Sequence, residues 1–199
     1  MDWNSDGKKD LLVGDTDGYI YIYLNTATDA APVLVQARLL QLNGDTFNLG
    51  ERAKPEITDF NNDGKKDLIV GLDNGDIFLL INTGTDAAPV FSQAAPLSLN
   101  AGLKPQPRAF DWNNDGKKDL LCADERAVVH YFENIGTDEK PAFAQGKTVQ
   151  TNGVDVASFY RTRLDITDFN NDGQPDLLYG ATSRDDHQGY LYLYLAQKQ

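Results

Sequence analysis

Short apolar runs recur along the chain, and each is bounded by polar residues and glycine. The first set comprises residues 11–14, 68–71, 120–123 and 177–180, and the second, rich in aromatic and branched side chains, comprises 19–24, 77–81, 128–132 and 190–195. Neither set has the length or the 3.6-residue period of a helix, so both are predicted as strands, the first buried on both faces. Turns such as 15–18 and 73–76 join each pair into a hairpin.

Two further runs complete each repeat. A polar loop ending in proline, at 25–32, 82–89 and 134–141, leads into predicted strands at 33–35, 90–91 and 142–143, and later strands are predicted at 55–58, 107–110 and 164–167. Four short antiparallel strands per repeat are typical of a β-propeller blade. The first repeat lacks its opening strand and the fourth its closing strand. The pattern therefore predicts an all-β propeller of fourteen strands, with incomplete first and last blades.

A nine-residue acidic loop precedes each strand of the first set, at residues 2–10, 59–67, 111–119 and 168–176, so the repeats are spaced by 57, 52 and 57 residues. Oxygen-bearing side chains stand at loop positions 1, 3, 5 and 9, and position 6 is glycine, which permits a positive-φ turn. Calcium prefers six to eight oxygen ligands, so each loop is predicted to bind one Ca²⁺, about four in all. Position 7 is expected to offer its main-chain carbonyl, with its side chain in water.

The predicted metal ligands are, loop by loop, Asp2, Asn4, Asp6, Lys8 and Asp10; Asp59, Asn61, Asp63, Lys65 and Asp67; Asp111, Asn113, Asp115, Lys117 and Asp119; and Asp168, Asn170, Asp172, Gln174 and Asp176. The loop is not an EF-hand, because position 12 is not the glutamate that such a site requires. A single copy would be compatible with an ordinary polar turn. Four copies with the same offsets favour a metal loop.

The net charge of the chain limits the classes of partner that it is expected to bind. The 199 residues carry a formal net charge of −12, which argues against nucleic acid and anionic membranes. Four Ca²⁺ would bring this charge to about −4, so much of the acidity is expected to be ligand charge. The single cysteine, Cys122, excludes an intrachain disulfide and is predicted to be a buried apolar residue. No apolar run is long enough to insert into a membrane. No signal segment is recognisable at the N-terminus, so any secretion signal is expected to have been removed or to lie elsewhere.

With these loops and strands, the chain resembles the FG-GAP/VCBS repeat family of calcium-binding propellers. The shared features are the D-x-N-x-D-G-x-x-D-L motif, the following strand and glycine turn, the aromatic strand that ends in Asn, and the T-D-x-x-P loop. The resemblance implies one propeller domain over residues 1–199, structural calcium and an extracellular or cell-surface location. Similar repeats occur in integrin α-chain heads, in lectins and in parts of polysaccharide lyases, so the resemblance does not imply a single function.

Three functions are compatible with this pattern. The first is a non-catalytic binding or adhesion module for a glycan or a protein, with Trp3, Phe60, Trp112 and Phe169 as candidate stacking residues, although packing is the favoured role. The second is a structural subunit of a larger ring or fibre. The third is the propeller part of a polysaccharide lyase or hydrolase.

An enzyme is disfavoured, because no nucleophile or phosphate-binding motif is present and the chain has only two histidines, His130 and His187. His130 is predicted to pack within a strand. The incomplete terminal blades allow self-association, a lone closed ring, or membership of a longer ring.

Overall fold

The computed structural model describes residues 1–46, 48–91, 96–151, 154–155, 160–182 and 188–196. These residues form seventeen β-strands and no helix, which confirms the all-β prediction. The strands form several small antiparallel sheets, none of which closes on itself. Within this described part, no helix meets the length and hydropathy needed to cross a membrane. The chain divides into two compact units, Met1–Ser98 and Leu99–Gln199, and the expectation of one domain stays a prediction.

The first unit contains two three-stranded sheets and a ribbon. Sheet 1, in the order β1-β2-β3, consists of β1 (Leu11–Gly14), β2 (Ile20–Asn25) and β3 (Leu34–Leu39). The ribbon pairs β4 (Gln41–Leu42) with β5 (Asp45–Thr46). Sheet 2, in the order β6-β7-β8, consists of β6 (Lys54–Thr58), β7 (Asp67–Gly71) and β8 (Ile77–Leu80).

The second unit repeats this arrangement. Sheet 3, in the order β12-β11-β10-β9, consists of β9 (Gln106–Phe110), β10 (Asp119–Ala123), β11 (Val129–Phe132) and β12 (Lys147–Thr148). A ribbon pairs β13 (Gln150–Thr151) with β14 (Val154–Asp155). Sheet 4, in the order β15-β16-β17, consists of β15 (Tyr160–Thr167), β16 (Asp176–Thr182) and β17 (Gly189–Tyr194).

Three sequence predictions about strands were wrong. The segments 90–91 and 142–143 are not strands, because Phe91 makes only isolated bridges, to Asn82 and Leu42, and Phe143 makes one, to Asn134. The outer strand of sheet 3 is β12 instead, and in sheet 2, among the residues that the structure describes after Phe91, only Leu97 bridges to β8. The count of fourteen was also too low, since β4, β5, β13 and β14 form ribbons in the links between sheets.

The third error concerns β1, which was expected to be buried on both faces. β7 and β10 are buried along their whole length, as predicted, but Leu11 in β1 is 45% exposed. β1 is an edge strand, and only the face that carries Leu12 packs on the core of its unit. Strand sequence alone did not separate the two cases, because both kinds of strand are equally apolar.

Three of the acidic loops join the first two strands of a sheet, and the first loop leads into β1. In sheets 2, 3 and 4 the strand before the loop pairs with the strand after it, and the pair that closes each loop is Thr58 with Asp67, Phe110 with Asp119, and Thr167 with Asp176. Loop position 9 is therefore also the first residue of a strand. This placement fixes its carboxylate at the junction of loop and sheet.

Candidate metal-binding loops

All four acidic loops have the same backbone conformation. Position 4 has a φ between 57° and 60°, and the glycine at position 6 has a φ between 83° and 86°. A Cβ added to any of these glycines would meet no atom within 4 Å, so the left-handed φ rather than crowding makes glycine suitable there. Four sequence copies have thus folded into four structural copies.

The side chains at positions 1, 3 and 5 fold back over the loop and accept its amide hydrogens. In the second loop, Asp59 accepts the N–H groups of Asp63 and Gly64, both at 3.0 Å. Asn61 also accepts the N–H of Asp63 at 3.2 Å, and Asp63 accepts that of Lys65 at 3.0 Å. The other three loops repeat these bonds with distances of 2.8–3.2 Å. The oxygen atoms are therefore held in place by the main chain.

The aspartate at position 9 is buried in every loop, and its two oxygens connect two parts of the backbone. In the second loop, Asp67 accepts the N–H of Phe60 at 2.9 Å and that of Asn82, just after β8, at 2.8 Å. Asp10, Asp119 and Asp176 make the equivalent pair of bonds. Burial raises the pKa of Asp67, although the amide hydrogen bonds oppose this effect. The sequence predicted this residue as a metal ligand and missed its role as a structural clamp.

The lysine at position 7 does not extend into water as predicted. The ammonium groups of Lys8, Lys65 and Lys117 lie 3.8, 3.1 and 3.1 Å from the carboxylate at position 5 of their own loop. Each loop concentrates three carboxylates, which attract the nearest cation. Partial burial acts to raise the pKa of Asp63, but the hydrogen bonds from Lys65 and Asn61 outweigh it and lower that pKa. The loops therefore already attract positive charge.

A second aspartate, from the T-D-x-x-P loop, supports position 8. Asp29, Asp86 and Asp138 accept the N–H groups of Lys9, Lys66 and Lys118 at 2.7, 2.9 and 2.7 Å. The fourth acidic loop has Pro175 at position 8, and proline has no N–H to donate. The repeated T-D dipeptide is the sequence signal for this contact.

The asparagine after the aromatic strand closes the T-D-x-x-P loop. Asn82 is buried, and its Oδ1 accepts the N–H groups of Gly84 at 2.9 Å and Val90 at 3.0 Å. Asn25 and Asn134 make the same two bonds. In the second and third repeats one bridging residue, Phe91 or Phe143, follows this loop, whereas in the first repeat the chain continues into β3.

Comparison with known proteins agrees with this repeated geometry. A family model described as FG-GAP-like repeat matches residues 59–122 and 111–179, and both matches begin at position 1 of an acidic loop. The chain belongs to the FG-GAP-like repeat family. No curated protein matches the sequence.

The donor set of these FG-GAP-like loops fits a hard cation. Each loop offers only oxygen side chains, three of them carboxylates, and a carboxylate oxygen that accepts one N–H keeps a second lone pair. Amide bonds of this kind orient metal ligands. In the described part of the chain, no three Asp, Glu, His or Cys side chains converge tightly enough to hold a metal ion. The ligand set therefore stays a prediction.

The aromatic residues at position 2 differ between the FG-GAP-like repeats. Trp3 and Phe60 are buried in the core, so packing, the favoured role, is confirmed for them, and Trp112 is half-buried. Phe169 is 58% exposed. Tyr190, Tyr192 and Tyr194 form a row along β17 with ring centroids 6.2–6.3 Å apart.

The remaining candidate residues have simple environments. Cys122 is buried and free, as predicted. His130 lies in β11 with its Nε2 3.5 Å from Asp124, whose Oδ1 accepts the N–H groups of Arg126 and Val128 at 2.9 Å each. His187 lies outside the described residues.

Proposed function

We propose that this FG-GAP-like chain is a calcium-stabilised, β-propeller-type module that acts outside the cell as a non-catalytic binding module for a glycan or a protein. The observation that supports it most is that all four acidic loops share the φ values of positions 4 and 6 and the amide hydrogen bonds accepted by the side chains at positions 1, 3 and 5. Side chains at positions 1, 3, 5 and 9 and the carbonyl of position 7 would hold each ion. Calcium would neutralise three neighbouring carboxylates and fasten the hairpin that the loop joins.

A structural role for the metal agrees with where the loops lie. Three of them close a strand pair, and in all four the position-9 aspartate is bonded to a backbone amide at or just after the end of the second strand that follows the loop. A catalytic ion needs an open coordination position facing a cleft, and four near-copies on four sheets favour reinforcement over a single reaction centre. Sheets of three or four antiparallel strands, one for each repeat, support the propeller-type arrangement.

A binding role is supported by repetition and by exposed aromatic side chains. Near-equivalent surfaces on successive repeats allow multivalent contact, which multiplies weak affinities. Phe169 and Tyr190, which are 58% and 40% exposed, are the candidate stacking residues for sugar rings. We favour a glycan or protein over an anionic polymer as the ligand, because the chain itself carries a net charge of −12.

Calcium titration of the metal-free protein by calorimetry tests the metal. We expect about four sites for each chain, and at a Ca²⁺ concentration ten times Kd each site adds about 1.4 kcal/mol to the free energy of unfolding. Four sites add about 6 kcal/mol, so a chelator is expected to lower Tm by more than about ten degrees.

The variant Asp115→Ala should bind one Ca²⁺ fewer, while Asp45→Ala, which removes an exposed carboxylate outside the acidic loops, should bind as wild type. Absence of binding, together with a melt that a chelator leaves unchanged, would contradict the metal assignment.

Glycan-array binding with and without chelator tests the ligand class. Binding that requires calcium and falls with Phe169→Ala supports a lectin-like role. Binding that persists in Phe169→Ala moves the ligand to another surface. Release of new sugar ends from a bound polysaccharide would favour the enzymatic alternative.

A further inference from the structure

The two sheet-on-sheet contacts within the units use the same register positions. In the first unit, the face of sheet 1 with Leu12, Ile20 and Ile22 packs on the face of sheet 2 with Leu68 and Val70. We call the face that carries Leu12, and its register equivalents in the other sheets, the forward face. The face that carries Leu68, and its register equivalents, is the backward face.

The second unit is built in the same way. The forward face of sheet 3, with Leu121, Val129 and Tyr131, packs on the backward face of sheet 4, with Leu177 and Tyr179. One type of interface, forward on backward, therefore forms the core of both units.

One face of each kind is exposed. Leu11, on the backward face of sheet 1, occupies the register position of Leu68 and Leu177, and it is 45% exposed whereas those two are 0% and 2% exposed. Val13, Tyr21 and Tyr23 share its face through the pairs of β1 with β2. A surface that forms the core in sheets 2 and 4 is thus partly open to solvent in sheet 1.

The forward face of sheet 4 is the matching surface. Leu191 occupies the register position of Ile20 and Val129, which are 1% and 0% exposed, yet it is 72% exposed itself. Leu193, paired with Leu178, lies on the same face and is 38% exposed. Leu191 and Leu193 therefore form an exposed apolar pair on this face.

The strand edges beside these faces are also unprotected. β1 and β17 are the edge strands of their sheets, and neither contains a lysine, a proline or any charged residue, the usual devices against edge-to-edge pairing. The exposed face of sheet 1 and the exposed face of sheet 4 are therefore the same two kinds of surface that pack together inside each unit.

We propose that the forward face of sheet 4 in one molecule docks on the backward face of sheet 1 in a second copy of this chain. The contact is heterologous, because the two surfaces differ, so repetition produces a ring or an open filament. The proposal goes beyond the calcium-binding function and does not depend on which residues hold the ion.

The test is the molar mass in solution, by light scattering and sedimentation, at a fixed Ca²⁺ concentration. Wild type should form assemblies larger than one chain. Leu191→Asp and Leu11→Asp should each be monomeric, with association weakened at least about 30-fold, the loss expected for a central interface residue. Ile135→Asp, which changes an exposed apolar residue of the T-D-x-x-P loop, is the matched control and should assemble as wild type.

Mixing the two monomeric variants is decisive. Each retains one intact face, so the mixture should form a one-to-one dimer and nothing larger. Far-ultraviolet circular dichroism establishes that the variants fold. Any one of three results would overturn the proposal: a monomeric wild type, dimers of Leu11→Asp alone, or a mixture that stays monomeric. If wild type is monomeric, the exposed faces are covered either by closure within one chain or by a different protein.

Discussion

The buried aspartate at loop position 9 should stabilise the fold even without metal. Asp119 is fully buried, and it accepts the N–H groups of Trp112 at 3.2 Å and Asn134 at 2.8 Å and the hydroxyl of Tyr131 at 3.0 Å. The perturbation is Asp119→Ala, which removes the acceptor and leaves these donors in place. The effect should therefore be present in chelator, where no metal contributes.

The size of the effect follows from the donors left behind. A buried donor without a partner costs about 1–3 kcal/mol, and two backbone amides are affected, one of them in a buried bond and the other partly exposed. We expect a loss of about 2–5 kcal/mol in the free energy of unfolding. The total stability of a domain is typically about 5–15 kcal/mol, so this is a large fraction.

The assay is urea denaturation in chelator, followed by far-ultraviolet circular dichroism. The matched control is Asp115→Ala in the same loop, whose carboxylate is exposed and bonds to Lys117. In chelator it should unfold close to wild type, and in calcium it should lose stability because a ligand is missing. If Asp119→Ala were as stable as wild type in chelator, the assignment of position 9 as a clamp would be wrong.

Three further outcomes are expected. Phe60→Ala should lower the free energy of unfolding by about 3–5 kcal/mol, because Phe60 is fully buried. Phe169→Ala, at the exposed equivalent position, should lower it by far less. Thermal melts measure both variants, and equal losses would contradict the difference in burial. Asn82→Ala should cost about 2–4 kcal/mol, because two backbone amides lose their acceptor, and a Tm within two degrees or so of wild type would refute this. Burial acts to raise the pKa of Asp124, but His130 and two backbone amides outweigh it and lower that pKa overall. The ionised carboxylate therefore stabilises the fold above its unfolded pKa of about 3.9, and this stabilisation is lost as the pH falls further. The difference in the free energy of unfolding between wild type and Asp124→Asn should narrow below about pH 4, and a constant difference would contradict this.

Several features followed from local sequence. Alternation of apolar runs with glycine turns was enough for the strand pairs, because hairpin strands and their turns lie within a few residues of each other. The strand before each acidic loop and the strand after it were placed correctly around 59–67, 111–119 and 168–176. The same spacing led to the FG-GAP-like family, which the family match confirms.

Other features depended on contacts between distant segments. The clamp from Asp67 to Asn82 spans fifteen residues and the support from Asp86 to Lys66 spans twenty, so neither belongs to a local motif. The lysines of position 7 were misplaced because their direction is set by the carboxylates that the folded loop brings together. No periodic pattern in the sequence indicates such a side-chain direction, because it depends on contacts that form only in the folded loop.

The sequence by itself therefore determined the all-β class, the four repeats and the oxygen-rich loops, since each of these is encoded within about a dozen neighbouring residues. Tertiary structure alone decided which copies of the same apolar residue became core. Leu11, Leu68 and Leu177 stand in the same motif, yet only the last two are buried, because burial depends on which sheet lies opposite. Equivalent residues in a repeat share their local geometry but not their neighbours.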